Sequence, residues 1–415
     1  EYRRQRQMCI RDSGATDSSA VDYSGASSSG GSSSGGSSSG GSSSGGSTFT
    51  LTSSIDSPSS TSGDDVYLGD NNTTSAADQI NGGSGTDTLK VYGSTAIPTV
   101  TSIENLYYNA PAGNLDISAR AGVKSLELAS EAGSRTLTVT ADQSIKLTSG
   151  AAGQTTTIAG NTPTSLAVTV DGTGSSTTDH TIATTGTALT SVSVAATGTA
   201  SYLTLTNAGG ALASITITGD TAIALQHALT TVTTIDASKA SGAVTIDGVG
   251  ASALALTLGS GNDTFVAAAT IGTTDTLNGG GGTDILSVSD ADTIDTAAEV
   301  ANISNFETFR AAAADATTYD LSQIGAKNTI SALQISTTGA GTTTVSNINA
   351  ATTAAISITG TAPATIALSA ADFVSGGTSD TATITLNNSV AGQDGIDTVS
   401  YTPLRAHETL RYLVC

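Results

Sequence analysis

Two stretches gather the residue types that could do chemistry: Gly82-Gly83-Ser84-Gly85-Thr86-Asp87-Thr88-Leu89 and Gly279-Gly280-Gly281-Gly282-Thr283-Asp284-Ile285-Leu286. Glycine admits φ > 0 and lets backbone carbonyls converge without a Cβ in the way. Aspartate adds a hard anionic oxygen. Calcium takes six to eight oxygens, carbonyls among them, in flexible geometry. A glycine turn that ends in Asp and runs into an apolar strand therefore predicts a loop able to wrap a cation, anchored by the strand behind it. A related block precedes each one: Gly259-Ser260-Gly261-Asn262-Asp263-Thr264-Phe265, and more loosely Ser62-Gly63-Asp64-Asp65-Val66-Tyr67. The alternative reading of every such Asp is a solvated Gly-Asp turn that binds nothing. Asp78 and Asp275, just upstream, read as turn-capping residues rather than ligands.

The elements that must position these turns are short strands. Runs such as TLTVTA (136–141), SLAVTVDG (165–172), SITITGD (214–220), GAVTIDG (242–248) and AISITG (355–360) alternate with period two and end in Gly, Asp or Asn, the pattern of strands and turns. Helical periodicity is confined to DTAAEVAN (295–302) and SAADFV (369–374). Residues 62–91 align with 260–288, and each unit is followed by a related line, TSIENLYY (101–108) and ISNFETF (303–309). Between Tyr108 and Phe265 the only aromatic is Tyr202. A narrow core of stacked small and β-branched residues needs none. The expected fold is all-β, a parallel β-solenoid with Gly-Asp calcium turns. Tandem Ig-like β-sandwiches are the alternative.

The glycine–aspartate blocks resemble the calcium-binding nonapeptide of RTX proteins, glycine-glycine-x-glycine-x-aspartate-x-apolar-x. The resemblance, with the spacings of 22 residues from Asp65 to Asp87 and 21 from Asp263 to Asp284, implies one shared Ca2+ site per pair. The metal-site residues it implies are Asp65, Asp87, Gly63, Gly83 and Gly85 in the first unit, and Asp263, Asp284, Gly261, Gly280 and Gly282 in the second. SGGTSDTATITL (375–386) and GQDGIDT (392–398) look like a third, degraded pair around Asp380 and Asp397. Isolated pairs within a long Thr/Ala-rich β region depart from the tandem RTX roll. They are similar to large surface-layer and adhesin-like proteins of Gram-negative bacteria. That likeness implies an extracellular, cell-surface location and type I secretion.

The chain ends are foreign to this texture. Arg3 to Asp12 resemble the translation of a sequencing adaptor, and VSYTPLRAHETLRYLVC at the other end resembles its reverse complement with one change at Pro403. Residues 1–13 and 398–415 read as adaptor read-through, and the remainder is expected to be an internal, metagenomic fragment of a longer protein. Both cysteines and the single Met fall in those ends, so no disulfide or thiolate-metal framework is expected. Residues 14–47 comprise an upstream remnant and a Gly/Ser linker. Residues 48–250 and 251–397 form two β-repeat regions, each opening with an RTX-like pair.

The net charge of −21 repels nucleic acid and favours cations as partners. No apolar run is long enough to span a bilayer. No Gly-x-Ser-x-Gly elbow is present, and GGGGTD lacks the Lys-Ser/Thr of a phosphate loop. His180 and His227 read as isolated surface or strand-edge residues. A carboxylate pair for glycoside hydrolysis stays open, but the aromatic and basic residues of a sugar groove are scarce. No enzyme is expected. The expected function is a secreted calcium-binding structural protein of a surface layer or adhesin, with self-assembly or cell-surface polysaccharide as further partners. The alternatives are the non-catalytic repeat region of a secreted enzyme and a carbohydrate-binding adhesin module.

Overall fold

The computed structural model describes residues 45–370 and 384–388, apart from 141–142, 161–162, 249–252, 268–270, 290–293, 295, 313–317, 325–326, 338–341, 349–355 and 361–364. Both adaptor-like ends, nearly all of the linker, and the Asp380/Asp397 pair lie outside the described residues.

The chain coils into a parallel β-solenoid. Successive strands contribute alternately to two 13-stranded sheets over most of its length. The first sheet runs from Thr48–Thr50 to Ile303–Ser304, the second from Leu115–Asp116 to Ile384–Asn388. Their ladders are parallel throughout. Antiparallel sandwiches are thereby excluded. The sheets continue across residue 250, so the two repeat regions share one coil: Thr234–Ala240 pairs with Ala255–Thr257, and Val244–Asp247 with Thr264–Ala267.

Period-two burial builds the core. Within each strand alternate residues point inward, and parallel register stacks them into columns. One column reads Tyr67, Leu89, Leu106, Leu126, Ile145, Val168, Val194, Ile217, all buried. Another reads His180, Leu203, Leu225, Ile246, Phe265, Leu286, Phe309, Leu333, Ile356. Each aliphatic member contributes roughly 1.5–3 kcal/mol of burial, and a slip of one residue turns the whole set outward.

Helix is minimal among the described residues. The expected helical stretch at 295–302 is a 3-10 turn over Val300–Asn302 only, and a single α-helical turn, Leu321–Ile324, lies elsewhere. Ser369 and Ala370 of the other expected stretch end the strand Thr365–Ala370. No helix among the described residues is long and apolar enough to cross a membrane.

Candidate cation sites at two glycine–aspartate corners

Each predicted Asp sits at the corner where a loop turns into a strand. Asp65 precedes Val66–Asp70 and Asp87 precedes Thr88–Tyr92, neighbours in the first sheet. Asp263 precedes Thr264–Ala267 and Asp284 precedes Ile285–Val288, neighbours in the second. The two members of each pair therefore stack one coil apart, while the two pairs belong to different sheets. All four side chains are fully buried.

Each corner is a ladder of carboxylates bonded to backbone amides of the preceding coil. In the first, the Ser47 N–H donates to Asp65 Oδ1 at 2.7 Å, the Asp65 N–H to Asp87 Oδ1 at 2.7 Å, and the Asp87 N–H to Glu104 Oε2 at 2.8 Å. The second repeats this rung for rung. Val244 N–H donates to Asp263 Oδ1 at 2.7 Å, Asp263 N–H to Asp284 Oδ1 at 2.7 Å, and Asp284 N–H to Glu307 Oε2 at 2.9 Å. Glu104 and Glu307 lie outside the glycine–aspartate motif. Their signal is the repeated line after each block, Ile103-Glu104-Asn105-Leu106 and Asn305-Phe306-Glu307-Thr308.

The two aspartates of a pair differ in their other oxygen. Asp65 Oδ2 accepts the Thr61 N–H at 2.7 Å, and the Thr61 hydroxyl adds a bond to Oδ1. Asp263 Oδ2 accepts the Gly259 N–H at 2.8 Å. In both cases the donor lies four residues upstream. At Asp87 and Asp284 that position holds Gly83 and Gly280, whose N–H groups turn instead to Asn81 Oδ1 (3.2 Å) and Asn278 Oδ1 (3.0 Å). These glycines have φ of +85° and +92°, conformations that other residues rarely adopt. The Asn-Gly-Gly-x-Gly-Thr-Asp loop thus draws a donor away from its own aspartate. Asp87 Oδ2 and Asp284 Oδ2 are left buried with no hydrogen-bond partner.

The remaining glycines let the coils stack. A Cβ on Gly85 would lie 2.6 Å from the Gly63 carbonyl oxygen, and one on Gly282 would lie 2.1 Å from that of Gly261. One on Gly261 would in turn lie 2.6 Å from the Gly242 carbonyl oxygen. Asp64 and Asn262 fasten the stacked turns by accepting the Thr86 and Thr283 N–H groups. Asp78 and Asp275 are turn caps, as expected. Asp78 accepts the Asp56 and Ser75 N–H groups, and Asp275 those of Leu254 and Gly272.

Electrostatics follow the donor count. Burial raises the Asp87 pKa, and the charges of Asp65, Glu104 and Asp64 add to the rise against the Asp65 N–H. Asp284 is pushed up to about 6 by burial, with Asp263 and Glu307 adding repulsion. Asp263 is also raised by burial. At Asp65 burial pushes upward, but the Thr61 hydroxyl and the Thr61 and Ser47 N–H groups outweigh it, and the pKa falls. Tyr67, stacked beneath the first corner, is pushed up to about 12 by burial and by Asp65 and Asp87.

A hard cation suits this chemistry: the polar atoms on offer are oxygens, and one buried carboxylate oxygen per corner lacks a donor. Among the described residues no three His, Cys, Asp or Glu side chains converge as a metal cage. A bound ion would therefore take most of its oxygens from backbone carbonyls of the glycine turns.

His180 and His227 lie in the core rather than at the surface. His180 Nδ1 lies 2.8 Å from the Ala151 carbonyl and Nε2 2.9 Å from the Thr156 hydroxyl, which also donates to Glu131 at 2.8 Å. Glu131 in turn pairs with buried Arg135. The hydroxyl, imidazole and carboxylate are all buried, so this cluster packs the core. His227 is held toward its neutral form by burial.

No protein-family model matches the chain, and no curated protein matches it.

Proposed function

We propose that this chain is a calcium-stiffened structural β-solenoid, part of an extracellular surface-layer or adhesin-like protein. The observation that carries the reading is the matched pair of buried, partnerless oxygens, Asp87 Oδ2 and Asp284 Oδ2. Leaving a buried polar group unmade costs about 1–3 kcal/mol, and more when it is charged. The same loop sequence creates that cost twice, on two different sheets. Calcium, when bound, supplies the positive charge and oxygen affinity that offset it. Asp87 and Asp284 then each present one oxygen, their Oδ1 atoms stay bonded to the preceding coil, and the glycines keep the turns close enough for carbonyls to converge. The RTX-like motif points the same way. Export as a looser, ion-free chain that stiffens outside the cell belongs to the same proposal.

Thermal unfolding followed by circular dichroism, in millimolar calcium and in chelator, tests the reading. At 100 times its Kd, an ion bound only by the folded state stabilises by about 2.7 kcal/mol per site, so calcium should raise the midpoint clearly. Superimposed curves would leave a β-repeat spacer whose aspartates only cap turns.

One observation favours the second reading, a carbohydrate-binding module. Tyr92 and Tyr107 lie on the outward side of adjacent strands with ring centroids 5.8 Å apart, and Lys90 sits over the Tyr107 ring. Aromatic faces beside polar side chains suit a sugar. Calcium-independent glycan binding lost in Tyr107→Ala would support this reading.

A further inference from the structure

The carboxylates at each corner differ in how many hydrogen bonds they already accept. Asp65 receives three hydrogen bonds across both oxygens. Asp263 receives one on each oxygen. Asp87 and Asp284 receive one apiece on Oδ1. Glu104 and Glu307 likewise accept one N–H each, from Asp87 and Asp284, and their Oε1 atoms accept none among the described residues.

The glutamates are held firmly beside the aspartates. The Asp87 carbonyl accepts the Glu104 and Asn105 N–H groups at 3.2 and 3.0 Å, while its own N–H returns to the Glu104 carboxylate. The Asp284 carbonyl accepts the Glu307 and Thr308 N–H groups at 3.1 and 2.9 Å, with the same return bond. Each of these aspartates thus carries a glutamate carboxylate on its own N–H, and its charge is repelled by that glutamate as well as by the aspartate of the preceding coil. The ion pairs among the described residues involve Glu131 and Glu127 and no corner residue.

A neutral side chain could do the capping. At Asn328, Oδ1 accepts the Phe306 N–H from the preceding coil while Nδ2 donates to the Ile303 and Ile324 carbonyls. Both units nonetheless place Glu, where like charge is unfavourable, directly after the aspartate with the partnerless oxygen. We infer that Glu104 and Glu307 are the second carboxylates of the two cation sites, so that each site joins Asp87 to Glu104 or Asp284 to Glu307, and Asp65 and Asp263 serve as caps outside the coordination. This inference rests on the calcium reading above and shifts each site one coil along the solenoid.

Glu104→Gln and Glu307→Gln test it, since glutamine keeps the acceptor for the Asp N–H and removes only the charge. Circular dichroism in chelator checks that each variant keeps its β signal. The expected result is an unchanged or higher unfolding midpoint in chelator, from relieved repulsion, with calcium affinity by calorimetry down about ten-fold through loss of one charged ligand. Asp65→Asn should lower the midpoint equally with and without calcium. If the Glu→Gln variants bind calcium as the parent does while Asp87→Asn and Asp284→Asn lose binding, the inference is overturned and the calcium reading stands. If the parent chain shows no calcium binding, both fall.

Discussion

The glycine–aspartate corners and the Glu131 cluster in the central coils bury carboxylates in opposite ways. Glu131 is enclosed by Arg135, the Thr156 hydroxyl and, at 3.9 Å, His180 Nε2. Arg135 also donates to the Pro111, Gly113 and Gly133 carbonyls. Its charge is balanced from within the chain. Asp87 and Asp284 are equally buried, yet their neighbours are other carboxylates. The contrast teaches that this fold can pair a buried acid internally, and that at its corners it does not. No cationic side chain among the described residues balances them there. Breaking the internal balance should give the largest effect. Removing one partner of a buried ion pair typically costs about 3–5 kcal/mol, so Arg135→Met should lower stability by that order in urea unfolding. Glu131→Gln added to it should restore part of the loss. The stabilisation by calcium should be the same in parent and variants, because the cluster and the corners draw on separate charges. A calcium response that changed with Arg135 would merge the two regions into one electrostatic unit.

A smaller effect separates tight stacking from mere glycine content. Gly281 and Gly282 are adjacent and both exposed. A Cβ on Gly281 meets nothing within 4 Å, whereas one on Gly282 would lie 2.1 Å from the Gly261 carbonyl oxygen at a φ of +129°. Gly282→Ala should cost about 1–3 kcal/mol through backbone strain and weaken calcium binding, as the turn lifts from its neighbour. Gly281→Ala should be within about 0.5 kcal/mol of the parent. Equal costs for the two would show that the loop tolerates displacement and that close stacking contributes little.

Much of this architecture is legible in the sequence. The period-two runs give the strands, and the 21- and 22-residue spacings place Asp263 over Asp284 and Asp65 over Asp87. The glycine blocks mark the corners. The donor count is not legible, because it depends on whether Gly83 and Gly280 turn their N–H groups toward Asp or Asn. Nor is the placement of the two units on different sheets, which depends on turn lengths summed over many coils. His180 and His227 show a signal present but unread. Each continues an inward phase, His180 with Ile182 and Thr184, His227 with Ile223 and Leu225. Alternation places them inside, whereas residue type alone points to the surface.

The least disruptive probe is pH, and it distinguishes the two corners from each other. In the second corner Asp263 and Asp284 are both raised, Asp284 to about 6 from an unfolded value near 3.8. A carboxyl raised in the folded state favours folding while protonated, so its contribution is fully present below pH 3.8 and lost as pH rises through about 6. In the first corner Asp87 is raised but Asp65 is lowered. Asp65 contributes stability above its unfolded value and loses it as pH falls, so the two trends oppose. Other lowered carboxyls, Asp70, Asp116, Asp236 and Asp320, gain their effect near or below their ordinary range. His227, held neutral by burial, loses stability as pH falls below its ordinary 6.5, opposite in sign to Asp284, so the window between about pH 4 and 6 reports mainly on Asp284 in a His227→Gln background. In chelator and in that background, the unfolding midpoint should decline across that window. Asp284→Asn should flatten the decline, and Asp87→Asn should flatten it less. Saturating calcium should also flatten it, because the ion replaces the proton on the buried oxygen, and calcium affinity should rise with pH up to about 6. A midpoint that, in the His227→Gln background, rises across the window and ignores Asp284→Asn would mean that the Oδ2 atom finds a donor in solution. The contrast between the self-balanced cluster and the open corners would then disappear.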